Sequence, residues 1–172
     1  DMPFPPYQYG NLLRTRHALL FVQGRREEAF EGVCRSIATW RRIGANSDNL
    51  VSRMVGSAYG GETYPALFLE MLVETPRDVA LPVACTEAFA PLTDAEVSLC
   101  QAMRGEFAYH DFAAELLGTA AFEHDDSFPD TLVPLVYSKE MTLADGAEAL
   151  GHFCLPEALR GMRNDLLMPR PQ

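Results

Sequence analysis

The regular spacing of apolar residues between residues 11 and 58 constrains the fold of this chain more than any other feature. It predicts three successive helices, over residues 11–23, 26–44 and 47–58. In the second helix, apolar side chains recur every three or four residues, which is the spacing of one buried helix face. They are Phe30, Val33, Cys34, Ile37 and Trp40. Gly24 favours a tight turn before this helix, because glycine adopts the left-handed cap conformation at little cost. We therefore expect the first two helices to form an antiparallel hairpin.

Residues typical of a helix start recur along the rest of the chain. They are Thr63 with Pro65, Thr93 with Glu96, Thr142, and Pro156. The second of these is a capping box, which predicts one continuous helix over residues 94–117. The sequence thus predicts an all-α fold, a single-domain bundle of about six to eight helices over residues 11–168. Residues 1–10 are expected to form an extended, proline-rich lead-in and residues 169–172 a tail.

The composition is that of a folded protein, because 48% of the residues are hydrophobic and 10% aromatic, more than a disordered chain carries. No apolar run approaches the roughly 18 residues of a membrane span. The sequence begins at Asp1 rather than at methionine, so we expect a processed or shortened chain from which a targeting segment could have been removed. Association with a membrane is expected only through a segment outside this sequence.

Charge is distributed unevenly along the chain. The formal net charge is −10, but residues 1–60 hold eight arginines and five acids, whereas residues 61–172 hold six basic residues and nineteen acids. Nucleic acid is not expected as a ligand, because phosphate binding requires a basic surface. The acidic part of the chain is suited to a basic protein partner, although it also serves solubility.

The four cysteines, Cys34, Cys85, Cys100 and Cys154, include no C-x-x-C pair. Neither a zinc knuckle nor a thioredoxin-type motif is therefore predicted. Cys34 and Cys100 fall on apolar helix stripes, where a free cysteine acts as a small buried hydrophobe. The sequence favours free thiols. If the compartment is oxidising, it leaves open one disulfide, or two disulfides in any of three connectivities.

Glu106 and His110 are the residues that most nearly suggest chemistry. They lie four positions apart in a predicted helix, so both side chains point the same way. Such a pair could ligate a metal or act as an acid/base couple, with a third ligand from His124, Asp125 or Asp126. A helix salt bridge, or a polar pair that closes the end of the core, has the same spacing, and we favour such a structural role. The stronger H-E-x-x-H motif, the G-x-S-x-G elbow and a glycine-rich phosphate loop are all absent from the sequence. We therefore expect neither a cofactor nor enzymatic activity.

Residues 123–130 are predicted to form an acidic loop beside aromatic residues. The spacing of the acids does not fit a calcium loop, whereas charge next to aromatic anchors is typical of protein binding. A solvated surface loop is the plainer alternative. The candidate partner-binding residues are Glu123, Asp125, Asp126, Phe128 and Asp130.

Two parts of the chain resemble known groups of proteins. The segment from Ala18 through Gly24 to Phe30 is similar to the turn of a tetratricopeptide hairpin, which would span residues 11–44; no second copy follows at the 34-residue period. Four further motifs resemble uncharacterised helical proteins of proteobacteria that are membrane-anchored and face the periplasm. These are Trp40-Arg-Arg, Leu50-Val-Ser-Arg-Met, Leu92-Thr-Asp-Ala-Glu-Val-Ser-Leu and Gly105-Glu-Phe. The resemblance implies a periplasmic location, with the cytoplasm as the alternative.

Size, acidity and the missing catalytic motifs together favour a function in binding. The sequence predicts a non-enzymatic protein-binding module of the bacterial envelope, and most specifically an immunity or inhibitor protein against a bacterial toxin. Two alternatives stay open: a scaffold or assembly factor of the envelope, and a metal-dependent hydrolase that uses Glu106 and His110.

Overall fold

The computed structural model describes residues 7–119 and 138–164, which contain helices and no β-strand. The all-α bundle predicted from the sequence is therefore confirmed. The helices are α1 (Tyr7–Val22), α2 (Arg26–Ala45), α3 (Leu50–Ala58), α4 (Tyr64–Val73), α5 (Ala84–Ala88), α6 (Asp94–Val97), α7 (Cys100–Thr119), α8 (Lys139–Gly151) and α9 (Pro156–Arg163). A π-helical turn over Tyr59–Thr63 connects α3 to α4, and a 3₁₀ turn over His152–Cys154 follows α8.

The described residues divide into two compact units. The first unit runs from α1 to α6, without residues 48–50; the second comprises residues 48–50 together with α7, α8 and α9. The single domain over residues 11–168 stays a prediction.

Helices α1 and α2 form the predicted antiparallel hairpin. The end of α1 meets the start of α2 where the rings of Phe21 and Phe30 pack edge to face, 6.0 Å between centroids. Further along, His17 Nε2 lies 3.3 Å from Ser36 Oγ. Gly24 has a φ angle of 82°, the left-handed conformation that its position at the turn predicts.

The first unit is built around α2, because α1, α4, α5, α6 and the π turn all pack against it. Its predicted apolar face is buried. The core around that face comprises Leu20, Ala29, Phe30, Val33, Cys34, Ile37, Trp40, Tyr64, Leu67, Phe68, Met71, Cys85 and Ala88. Phe30 and Phe68 pack edge to face at 5.4 Å, a favoured geometry for two aromatic rings.

Several predicted helix starts differ from the observed ones, because hydrogen bonds formed in the folded protein determine where these helices begin. Helix α1 begins at Tyr7, inside the predicted extended lead-in, and the buried Tyr64 hydroxyl donates a 2.7 Å hydrogen bond to the Gly10 carbonyl of that first part of the helix. Helix α3 begins at Leu50 rather than at Ser47. The Ser47 hydroxyl instead donates to the Ile43 carbonyl at 2.6 Å, which completes the end of α2.

Where the sequence predicts one helix ending at residue 58 and the next starting at Thr63, the π turn continues the helical path between them. Gly60 lies so close to α2 that a Cβ there would be 3.0 Å from the Arg41 backbone nitrogen. This close packing keeps the segment helical where glycine alone would end it.

The long helix predicted over residues 94–117 is two helices, α6 and α7. The capping box itself is present, since the Thr93 N–H donates to Glu96 Oε2 at 2.8 Å. The helix is interrupted where the Ser98 hydroxyl accepts the Cys100 N–H at 3.1 Å, a local bond that competes with helical pairing. The predicted cap at Thr142 is wrong, because the N-cap of α8 is Ser138, four residues earlier.

The four cysteines form two disulfides, Cys34–Cys85 and Cys100–Cys154. The favoured prediction of free thiols was wrong. The apolar stripe of α2 indicates that Cys34 is buried, but not which element packs against it. Cys85 comes next to Cys34 only when α5 packs on α2. Each disulfide lies within one unit.

An ion pair fixes the segment after α5 to α2. Arg41 Nε donates to Glu96 Oε1 at 2.6 Å, and both side chains are nearly buried. Arg41 Nη1 also donates to the carbonyls of Ala88 and Ala90, at 2.6 and 2.9 Å. One guanidinium thus satisfies backbone acceptors that the short helix α5 leaves unpaired.

We expect the double substitution Cys34→Ala and Cys85→Ala to lower the free energy of unfolding of the first unit by about 2–5 kcal/mol, because the unfolded chain loses a constraint on a long loop. Fluorescence of Trp40, the single tryptophan of the sequence, reports urea unfolding of this unit. Reduction of the wild-type protein should give the same shift. An unchanged urea midpoint in both cases would contradict the pairing.

Stability should fall in acid through Glu96. The Arg41 guanidinium, helped by the Thr93 N–H and hydroxyl and opposed by burial, lowers the pKa of Glu96 from 4.5 to about 2. The ionised carboxylate therefore stabilises the folded state above about pH 4.5, and this contribution is lost as the pH falls towards 2. The difference in unfolding free energy between the wild type and Glu96→Gln should shrink over this range.

The control for this measurement is Glu28→Gln. Glu28 pairs with Arg25 on the exposed surface, where solvent screens the interaction, so its pH dependence should be much smaller. A difference between wild type and Glu96→Gln that stays constant from pH 4.5 to 2 would refute the assignment.

Candidate functional site

Glu106 and His110 lie on α7 as predicted, but their side chains contact different elements of the second unit. Glu106 Oε1 accepts the N–H of Leu50, the first residue of α3, at 2.7 Å. His110 Nε2 lies 3.3 Å from the Thr142 carbonyl oxygen, and the ring packs against Gly146, where a Cβ would lie 2.6 Å from it. Each side chain is thus in structural contact with a backbone group, and neither contact is a salt bridge between the two side chains.

Within residues 7–119 and 138–164, no group of three or more His, Cys, Asp or Glu side chains is arranged to hold a metal ion. The third ligands proposed from the sequence, His124, Asp125 and Asp126, lie outside the described residues. So do all five candidate partner-binding residues, which are Glu123, Asp125, Asp126, Phe128 and Asp130. Those assignments stay predictions.

The second unit carries another candidate site, on the side of α7 that faces away from α8. Tyr109 and Phe112 lie one helical turn apart and are 60% and 64% exposed. We call Tyr109 and Phe112 the α7 outer face. Asp111 is exposed next to Phe112 in the sequence, whereas the carboxylate of Glu115 pairs with Lys139 of α8. On the side of the helix opposite Phe112 lie the buried residues Met103 and Ala114.

Contacts with α8 hold the α7 outer face in place. Near the middle of α7, His110 packs against Gly146, and near its end the ammonium of Lys139 pairs with the carboxylate of Glu115. The Cys100–Cys154 disulfide fixes the start of α7 to the 3₁₀ turn that follows α8. Two exposed aromatic rings are therefore presented on a helix that α8 and a disulfide hold in place.

Neither Tyr109 nor Phe112 was predicted from the sequence as a binding residue. Their spacing of three residues was visible in the sequence, but it has the same form as part of a buried stripe. Which side of α7 is covered depends on where α8 packs. The signal that could have found the site is aromatic residues flanked by acids on the polar side of a helix.

Comparison of the chain with protein-family models, curated proteins and solved structures gave no significant match. The resemblances to a tetratricopeptide hairpin and to envelope proteins of proteobacteria therefore stay predictions. No helix in the part of the chain that the structure describes is long and apolar enough to span a membrane.

We expect Glu106→Ala to lower the free energy of unfolding by about 1 kcal/mol, because the Leu50 N–H at a helix start loses its acceptor. Glu106→Gln keeps an oxygen acceptor and should cost less. Urea unfolding followed by circular dichroism measures both. Equal losses of unfolding free energy in the two variants would show that the charge of Glu106, rather than its hydrogen bond, stabilises the fold.

Metal content tests the alternative hydrolase. Stoichiometric zinc, manganese or iron in the purified protein that is lost in His110→Ala would support it.

Proposed function

We propose that the protein is a non-enzymatic helical module that binds a basic protein partner through the α7 outer face. The observation that carries this proposal is the pair of exposed aromatic rings, Tyr109 and Phe112, on a helix whose other side is buried. Aromatic residues are enriched in protein interfaces and often supply most of the binding energy. Exposing these two rings to water in the free protein costs free energy, and a partner that covers them would recover it.

Charge supports a basic partner. Asp111 is exposed next to Phe112 in the sequence, and the chain from residue 61 onwards is strongly acidic. Opposite charge around an aromatic centre accelerates association and excludes acidic competitors. The acidic residues predicted to bind a partner, at 123–130, would extend the same chemistry if they also contact it.

The two disulfides support an oxidising compartment, because structural disulfides persist in the periplasm and outside the cell and are rare in the cytosol. A periplasmic location, or a membrane anchor facing the periplasm, accordingly stays our proposal.

Within this class, the most specific version is an immunity or inhibitor protein that covers a basic surface of a bacterial toxin. Small size, acidity and a rigid aromatic face are the properties such a protein needs. A scaffold or assembly factor of the envelope would use the same face, and the identity of the partner separates the two. No observation favours the hydrolase over these.

The proposal is tested by affinity capture with the immobilised full chain from periplasmic extract, at low and high salt. We expect one basic protein that high salt releases. After purification of that protein, Phe112→Ala should raise its Kd about 30-fold or more, which corresponds to a loss of about 2 kcal/mol at an interface hot spot. Tyr109→Ala should act in the same direction.

Matched charge variants provide the control. Asp111→Asn should weaken binding at low salt, whereas Asp145→Asn, an equally exposed acid on α8, should not. A partner that the double variant Tyr109→Ala and Phe112→Ala still binds with unchanged Kd, or the absence of any salt-sensitive partner, would refute the proposal.

A further inference from the structure

The first unit contains a cavity of about 130 Å³ between α2, α3, the π turn and α6. Three of its lining residues are charged: Arg41, Arg53 and Glu96. The side chains of all three are buried or nearly so. Its rim is formed by the exposed residues Ser57, Gly61 and Leu92. The cavity therefore has a charged interior and an opening towards solvent.

Arg53 is the member of this set that lacks a full complement of partners. It is only 6% exposed, and one terminal nitrogen donates to the backbone carbonyl of Glu96. Its Nε–H is buried and makes no hydrogen bond. A buried guanidinium usually has a carboxylate beside it, because removing the charge from water is costly. Burial accordingly lowers the pKa of Arg53, while the negative charge of Glu96 opposes that effect.

The carboxylate of Glu96 does not fill this role. Its Oε1 accepts the bond from Arg41 Nε at 2.6 Å, and its Oε2 accepts both the N–H and the hydroxyl of Thr93 at 2.8 Å. Arg41 and Glu96 thus compensate each other, and the charge of Arg53 leaves the cavity with an excess of one positive charge.

We propose that this cavity binds a carboxylate group, which accepts hydrogen bonds from the Arg53 guanidinium. The planar fork of an arginine matches a carboxylate with two parallel hydrogen bonds. One unpaired positive charge suits a monoanion, and the adjacent charge of Glu96 disfavours a phosphate dianion. The site belongs to the first unit and does not depend on the α7 outer face.

The size of the cavity limits what accompanies the carboxylate. A cavity of about 150 Å³ holds a molecule the size of benzene, so a carboxylate with a few carbon atoms fits here. The exposed Leu92 side chain at the rim offers an apolar contact for that short chain. Two sources have this chemistry: a free short-chain carboxylic acid, and the C-terminal carboxylate of a peptide.

The test is an NMR titration of the full, disulfide-bonded protein with sodium acetate, with sodium chloride at equal ionic strength as the reference. The Nε–H signal of Arg53 is assigned by its loss in Arg53→Met. We expect a saturable shift of that signal with acetate and not with chloride. Acetate should also raise the Tm of the wild type and leave the Tm of Arg53→Met unchanged. That variant should fold, because replacing a buried charge by an apolar residue of similar volume is often neutral.

A second variant closes the cavity without touching Arg53. A Cβ at Gly61 would meet no atom within 4 Å, so Gly61→Leu is accommodated at the rim and obstructs the opening. It should weaken acetate binding about tenfold or more, a loss of about 1.4 kcal/mol, with an unchanged unfolding curve in the absence of acetate. Arg42→Met, which removes an exposed arginine of α2, should leave acetate binding intact.

A dipeptide with a free C-terminus and its C-terminal amide distinguish the two sources. Tighter binding of the free dipeptide than of acetate, with none of the amide, would assign a peptide C-terminus; equal affinity would assign a free acid. The proposal is overturned if no carboxylate gives a saturable shift, if chloride reproduces the shift, or if Arg53→Met retains the thermal response.

Discussion

The burial of α2 is the constraint on which the first unit depends. Its apolar face carries Phe30, Val33, Cys34, Ile37 and Trp40, and α1, α4, α5 and the π turn pack around it. Because α5 has only five residues, it could not be stable as an isolated helix. Its position comes from the Cys34–Cys85 disulfide and from Arg41, whose guanidinium binds the carbonyls at its end.

The two buried arginines of this unit show what separates a structural charge from a candidate binding site. Arg41 has a carboxylate partner and several carbonyl acceptors, so its charge is compensated within the fold. Arg53 has one carbonyl acceptor and an unsatisfied Nε–H beside a cavity. A fold that retains such a charge without compensation is less stable than one with an apolar residue there. We infer that binding of an anion offsets that cost.

The sequence by itself determined the features that depend on interactions between residues close together in the chain. The period of the α2 face, the left-handed Gly24 and the Thr93–Glu96 capping box all appear in the structure as predicted. So does the start of the last helix at Pro156, because the ring of proline fixes φ and removes the N–H in a way that suits a first turn. These features depend on residues within one or two turns of each other.

Only the tertiary structure decided which elements meet. The pairing of Cys34 with Cys85, across 51 residues, follows from α5 packing on α2, and no local pattern encodes it. The exposure of Tyr109 and Phe112 follows from the position of α8, and the isolation of Arg53 follows from Glu96 being bound to Arg41 and Thr93. Apolar residues at helical spacing indicate that a helix face is buried, and a charged residue on such a face indicates that it needs a partner. Which residue supplies the contact depends on packing between segments that are distant in the chain.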